Sequence, residues 1–187
     1  MIDDFTDSGV VMGKTSANAE FKPLNIAVMT VSDSRTEADD KSGNILVERL
    51  SKAGHALAEK KIVVDNIYQL RAVASAWIAN PDIHVIITTG GTGFTGRDVT
   101  PEAIKPLYDK EIEGFGEIFR MISYQLIKTS TIQSRAVAGL ANGTVIFSLP
   151  GSPGACKDAW DEIISYQLDA RHRPCNFVEI MPRFLES

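Results

Sequence analysis

Histidine and cysteine are scarce in this chain: three of the first and two of the second in 187 residues. Cys156 and Cys175 cannot make a disulfide framework, and with three scattered histidines they supply no zinc-ligand spacing. No local Ser-His-Asp or Cys-His arrangement for nucleophilic catalysis is present, since the histidines lie outside the glycine-rich loops. A basic excess is also missing. The net charge of −5 and pI near 5.2 exclude a general attraction to nucleic acid or anionic membrane, so an anionic ligand must be held by local groups. No apolar run approaches the ~20 residues that span a bilayer. The N-terminus carries Asp3, Asp4 and Asp7 and lacks the basic and apolar regions of a signal peptide, so the expected compartment is the cytoplasm. No internal repeat is visible, and the length with 44% hydrophobic and 23% charged residues fits one α/β domain.

What is present alternates in type. Residues 1–23 read as a polar, flexible arm, residues 24–178 as one domain and residues 179–187 as a tail. Residues 25–31, 56–64 and 83–89 are β-branched and apolar runs that predict strands. Ile45, Leu46, Leu50 and Ala53 recur at helical spacing before Gly54, as do Ile67, Leu70, Val73, Ala74, Trp77 and Ile78 before Pro81. A short helix from Pro101 and a longer one over about 115–127 follow the third strand. Residues 136–140 and 144–149 flank Ala141-Asn142-Gly143, which predicts a hairpin, and a helix through about Leu168 comes after the last strand. Such alternation predicts a mostly parallel sheet between two helical layers.

The segment that carries chemistry is Thr88-Thr89-Gly90-Gly91-Thr92-Gly93-Phe94-Thr95-Gly96-Arg97-Asp98-Val99-Thr100-Pro101-Glu102. A strand delivers it into a glycine-rich turn whose N–H groups can approach a phosphate unobstructed by Cβ atoms. Arg97 is a guanidinium suited to phosphate and Asp98 a carboxylate suited to Mg²⁺. Thr100 can cap the next helix, with Pro101 at its first position and Glu102 in its first turn. The strand-end rule for parallel sheets nominates three further segments: Ser32-Asp33-Ser34-Arg35, Val64-Asp65-Asn66 and Pro150-Gly151-Ser152-Pro153-Gly154. Each has a bland reading beside the functional one. Asp33 can simply initiate a turn, Asp65 can cap the helix near Ile67, and Gly151 and Gly154 can be turn glycines.

The spacing of Gly90, Gly93 and Gly96 also fits short-chain dehydrogenases, and Tyr124 and Lys128 supply their Tyr-x-x-x-Lys. Context argues against that reading. A dinucleotide fingerprint ends the first strand and leads directly into a helix, whereas two β-α units precede this loop and residues 97–101 intervene before its helix.

Taken together, the residues from Thr88 to Gly93 with Arg97-Asp98-Val99-Thr100-Pro101-Glu102-Ala103 resemble the signature of the MoaB/MogA molybdenum-cofactor proteins. The resemblance continues through Glu113-Gly114-Phe115-Gly116-Glu117, Ser134-Arg135 and Leu149-Pro150-Gly151-Ser152. Thr30-Val31-Ser32-Asp33-Ser34-Arg35-Thr36, Asp39-Asp40, Ser42-Gly43 and the run from Leu168 to Phe177 resemble the B-type members.

That resemblance implies a three-layer α/β/α domain binding molybdopterin, a pterin dithiolene with a terminal phosphate. It implies Mg²⁺- and ATP-dependent adenylylation of that phosphate with release of pyrophosphate, or, alternatively, a carrier that binds molybdopterin and turns over poorly. Asp98 and Asp65 match the family's catalytic acids and would hold the Mg²⁺, although a proline more often precedes the second. Thr89, Gly90, Gly91, Thr92, Gly93, Arg97, Thr100 and Glu102 fall to the nucleotide phosphates. Ser32, Asp33, Ser34, Arg35, Pro150, Gly151 and Ser152 fall to the pterin side. A homotrimer or homohexamer, with other molybdenum-cofactor pathway proteins as possible partners, is implied by the same resemblance.

Overall fold

The computed structural model describes residues 19–186. Four neighbouring strands run parallel: β1 (Asn25–Val31), β2 (Ala56–Val63) at the edge beside it, then β3 (Val85–Thr89) and β6 (Thr144–Leu149). A short β4 (Lys110–Glu111) and β5 (Val137–Ala141) complete a six-stranded sheet of order β2-β1-β3-β6-β5-β4, with β5 antiparallel to both of its neighbours. The predicted hairpin joins β5 to β6 through Asn142 and Gly143, with φ of 47° and 83°; this left-handed pair matches the twist of the flanking strands.

Alternation along the strands divides the core into two. Ile26, Val28, Val85, Ile87, Val145, Phe147 and Leu149 point to one face. There they meet α1 (Lys41–Lys52), α4 (Glu113–Ile127) and α5 (Pro153–Ala159), which runs on as a π-helical turn at Trp160–Ile164. Ala27, Met29, Val31, Ile86 and Ile146 point to the other, against α2 (Ile67–Ile78) and α3 (Thr100–Ile104). A sheet covered on both faces buries whole strands, which is why β1, β3 and β6 read as continuous apolar runs. The expected three layers are present.

Two details differ from the sequence reading. Asp65 does not cap α2; the Asn66 side chain accepts from the N–H groups of Tyr68 and Gln69 at 3.0 and 3.1 Å. Packing also passes both expected domain boundaries. Phe21 lies 5.1 Å from the His55 ring, and Met181 and Phe184 pack against the first core cluster. Residues 1–18 of the expected arm lie outside the described residues. No helix among the described residues is long and apolar enough to cross a membrane.

Candidate functional site

From β1 the chain turns outward to β2, then returns past β1 to β3, so the order reverses between β1 and β3. Ligands of open α/β sheets bind at the carboxyl ends flanking such a reversal. Here those ends are level: Thr30 pairs with Thr89, and Thr89 with Leu149. The loops leaving them enclose a cavity of about 480 Å³.

The glycine loop forms one wall. Gly90 and Gly91 have φ of +107° and +63°, and a Cβ on Gly90 would lie 2.2 Å from the Val31 carbonyl oxygen. Only glycine fits these positions, so the turn stays narrow and its backbone accessible. Arg135 grips this loop from behind. Its Nε donates to the Gly93 carbonyl at 2.8 Å and its Nη2 to the Asp98 carbonyl at 2.8 Å, while Nη1 pairs with Glu102. Its guanidinium also lies 5.4 Å from the Phe94 ring centroid. One fork of donors thus sets two backbone carbonyls and one carboxylate.

Two carboxylates face the cavity. Asp98 accepts from the backbone N–H and hydroxyl of Thr95 at 2.8 and 2.6 Å. That hydroxyl, with the N–H groups of Thr95 and Gly93, holds its carboxyl below the usual range. Asp65 shows the opposite shift. Burial, then the negative charges of Asp33 and Asp98, raise its pKa. Among the described residues no cluster of three or more His, Cys, Asp or Glu is disposed to hold a metal. Two carboxylates, one in a field that resists its ionisation, are a donor set that suits Mg²⁺, which takes one or two carboxylates and completes its shell with water and substrate phosphates.

In the same cavity Arg35 Nη2 donates to the Gly151 carbonyl at 3.0 Å, and Ser42 Oγ donates to the same oxygen at 2.7 Å. Behind Arg35 stands Asp40, fully buried at the cap of α1. It accepts from Thr30 Oγ1 and Gly43 N at 2.9 Å each, and lies 2.9 Å from Lys60 Nζ and 3.8 Å from Arg35 Nη1. Ser152 caps α5 through Ala155 N at 3.1 Å.

The structure therefore brings Asp65, Asp98, Arg97, Gly90, Gly91, Thr92 and Gly93 into the wall of one cavity, together with Ser32, Arg35, Pro150, Gly151 and Ser152. Five expected site residues are not in that wall. Thr89 is buried, its hydroxyl on the Pro150 carbonyl at 2.9 Å and 3.1 Å from Cys156 Sγ. Thr100 neither caps nor faces the cavity; its hydroxyl donates to the Gly90 carbonyl at 2.8 Å, and the cap position falls on Val99. Both threonines brace the loops instead. Glu102 is occupied by Arg135, and Asp33 by Arg97. Ser34 is exposed, with its N–H on Ser32 Oγ at 3.3 Å. Sequence reasoning gave no role to Gln133, which lines the cavity, or to Arg135. For Arg135 the Ser134-Arg135 pair was a usable signal; for Gln133 none was visible. Tyr124 and Lys128 lie on the exposed end of α4 and its cap, 5.6 Å apart as a cation over a ring, and line no part of the site. Burial pushes the Cys156 thiol up to about 11, so it stays protonated and inert.

Residues 27–170 match the family described as "Probable molybdopterin binding domain". The chain belongs to the MoaB/MogA family. Molybdenum cofactor biosynthesis protein B of Escherichia coli strain K12 is 55% identical over 163 residues, covering 87% of this chain and 96% of that one. A crystal structure of a molybdenum cofactor biosynthesis protein B superimposes with a TM-score of 0.77 at 45% identity, covering 79% of this chain and 92% of the other. The tungsten cofactor synthesizing protein MoaB from Pyrococcus furiosus gives a TM-score of 0.70 at 42% identity, over 77% and 92% of the two chains.

Proposed function

We propose that this MoaB/MogA-family chain works in molybdenum-cofactor biosynthesis, binding molybdopterin in the strand-end cavity and adenylylating its terminal phosphate with Mg-ATP. The observation that carries the reading is the convergence of Asp65, Asp98, Arg97 and the Gly90–Gly93 turn in the wall of one cavity. These are the groups phosphoryl-type transfer requires, because its catalysis is chiefly positioning and charge neutralisation.

In the proposed step an oxygen of the molybdopterin phosphate attacks the α-phosphorus of ATP. The bond from that phosphorus to the oxygen bridging to the β-phosphorus breaks, and pyrophosphate leaves with the electron pair. The attacking oxygen is already anionic, so no strong general base is needed. Backbone N–H groups of the glycine turn and the Arg97 guanidinium orient the polyphosphate. Arg35, held between Asp40 and the Gly151 carbonyl, lines the same cavity and is the cation left for the second substrate. Asp65 and Asp98 would hold Mg²⁺, which when bound offsets negative charge on the phosphate oxygens. Cytoplasmic residence accords with this role.

A second reading, a carrier that binds molybdopterin but turns over poorly, draws on a specific observation. The carboxylate of Asp98 already closes its own loop through Thr95, and Arg97 already holds Asp33. Single-turnover pyrophosphate release from Mg-ATP in the presence of molybdopterin separates the two. Release at a rate that depends on molybdopterin supports the transferase; tight molybdopterin binding without release supports the carrier.

A further inference from the structure

The two arginines of the cavity are held in opposite ways. Arg35 faces a carboxylate, Asp40, that is wholly buried and held by Thr30, Gly43 and Lys60. Arg97 faces one that is exposed. Its Nε donates to Asp33 Oδ2 at 2.8 Å and its Nη2 to Asp33 Oδ1 at 2.7 Å, with the two side chains 63% and 42% exposed. This two-pronged arrangement is also how a guanidinium grips a phosphate. The pair joins the loop after β1 to the loop after β3, across the reversal of strand order, and Asp33 Oδ1 also accepts the Asp65 N–H at 3.1 Å.

We propose that Asp33 is a gate carboxylate, an internal competitor that a ligand's phosphate displaces from Arg97. The inference rests on reading the cavity as a phosphate site and adds what governs entry to it. An exposed ion pair is weak, so Arg97 is released at little cost, whereas Arg35 is fixed. Three carboxylates, Asp33, Asp65 and Asp98, share this rim with two guanidiniums. A phosphate monoester or diphosphate, with nearly two negative charges or more at neutral pH, displaces a carboxylate better than another carboxylate does. Asp33 therefore selects phosphate ligands against simple carboxylate ones.

Asp33→Asn removes the charge and keeps an acceptor for the Asp65 N–H. Inorganic pyrophosphate titrated calorimetrically into wild type, Asp33→Asn, Arg97→Met and the double variant tests the gate. Asp33→Asn should tighten pyrophosphate binding by about twofold to fivefold, the range an exposed pair supports. Arg97→Met should weaken binding, and in its background the gain from Asp33→Asn should shrink. Binding to Asp33→Asn that is unchanged or weaker, with Arg97→Met still defective, overturns the gate and makes Asp33 an orienting partner. Failure of all four proteins to bind pyrophosphate overturns the phosphate reading of the cavity itself, and the gate with it. In wild type, the carboxyl carbon resonance of Asp33 should move as pyrophosphate is added. A resonance that stays still while pyrophosphate binds is also fatal to the gate.

Discussion

At the level of single residues, Asp98 and Arg135 separate chemistry from scaffolding. Asp98→Asn nearly preserves shape and still offers an oxygen to Thr95, but removes the charge proposed to hold Mg²⁺. Pyrophosphate release in a single turnover should fall about 100-fold or more while molybdopterin affinity changes little, because the lost interaction acts mainly in the transition state. Full turnover in this variant would remove Asp98 from the metal. Arg135 acts at a distance from the cavity, through the Gly93 and Asp98 carbonyls. Arg135→Lys keeps the charge and loses the fork, so pyrophosphate affinity should drop about tenfold, with a melting temperature lowered by a few degrees. Unaltered affinity would mean that the glycine turn holds its shape unaided. Asp98 was legible in the sequence because its neighbours on both sides are motif residues. Arg135 was marked by the Ser134-Arg135 pair but its bracing role was not legible, because its partners lie about forty positions upstream and are carbonyls, which carry no residue identity.

Among the elements, the junction of β2 and α2 makes the clearest case of two adjacent residues with different work. Position in the sequence offered Asp65 as the cap of α2, and the backbone path gives that work to Asn66. Asn66→Ala should then cost about 1 kcal/mol, lowering the melting temperature by about 2–4 °C. Asp65→Asn should do the reverse. A carboxyl whose folded pKa lies above its unfolded value takes stability away as pH rises through the window between the two. Asp65 is raised by burial and by the charges of Asp33 and Asp98, so at neutral pH it destabilises the chain. Its replacement by Asn should raise the melting temperature at pH 7 by about 1–3 °C, and the gain should vanish below the ordinary value of 3.8. Thermal melts of both variants between pH 3 and pH 7 check the signs. Strands and helices with clean periodicity, such as β1 and α2, were readable in advance. The two-residue β4, the 3₁₀ run Lys128–Gln133 and the π-helical turn at Trp160–Ile164 were not, since each is set by its tertiary neighbours rather than by a repeating pattern.

For the whole molecule, the prediction concerns assembly. On α4, Ile118, Met121, Tyr124, Leu126 and Ile127 are exposed, and Ile132 extends the apolar area beyond its end. An uncovered apolar surface of this kind marks a protein contact, and a second copy of the chain is the occupant that the family resemblance implies. Light scattering should report a mass that is a multiple of three chains, and Met121→Lys should shift it toward the monomer. A wild-type monomer at micromolar concentration would count against the assembly. How the site is distributed along the chain has a consequence for folding. Arg35 meets the Gly151 carbonyl across 116 positions, and the Arg97–Asp33 pair spans 64. Contacts so remote in sequence close late, after the entropy of long loops has been overcome. A ligand that needs loops from residues 33, 97 and 151 together binds the assembled cavity, so its binding energy adds to the native state. At a hundred times its dissociation constant it should add about 2.7 kcal/mol to global stability, which makes a simple melting curve a direct assay for whatever this cavity accepts.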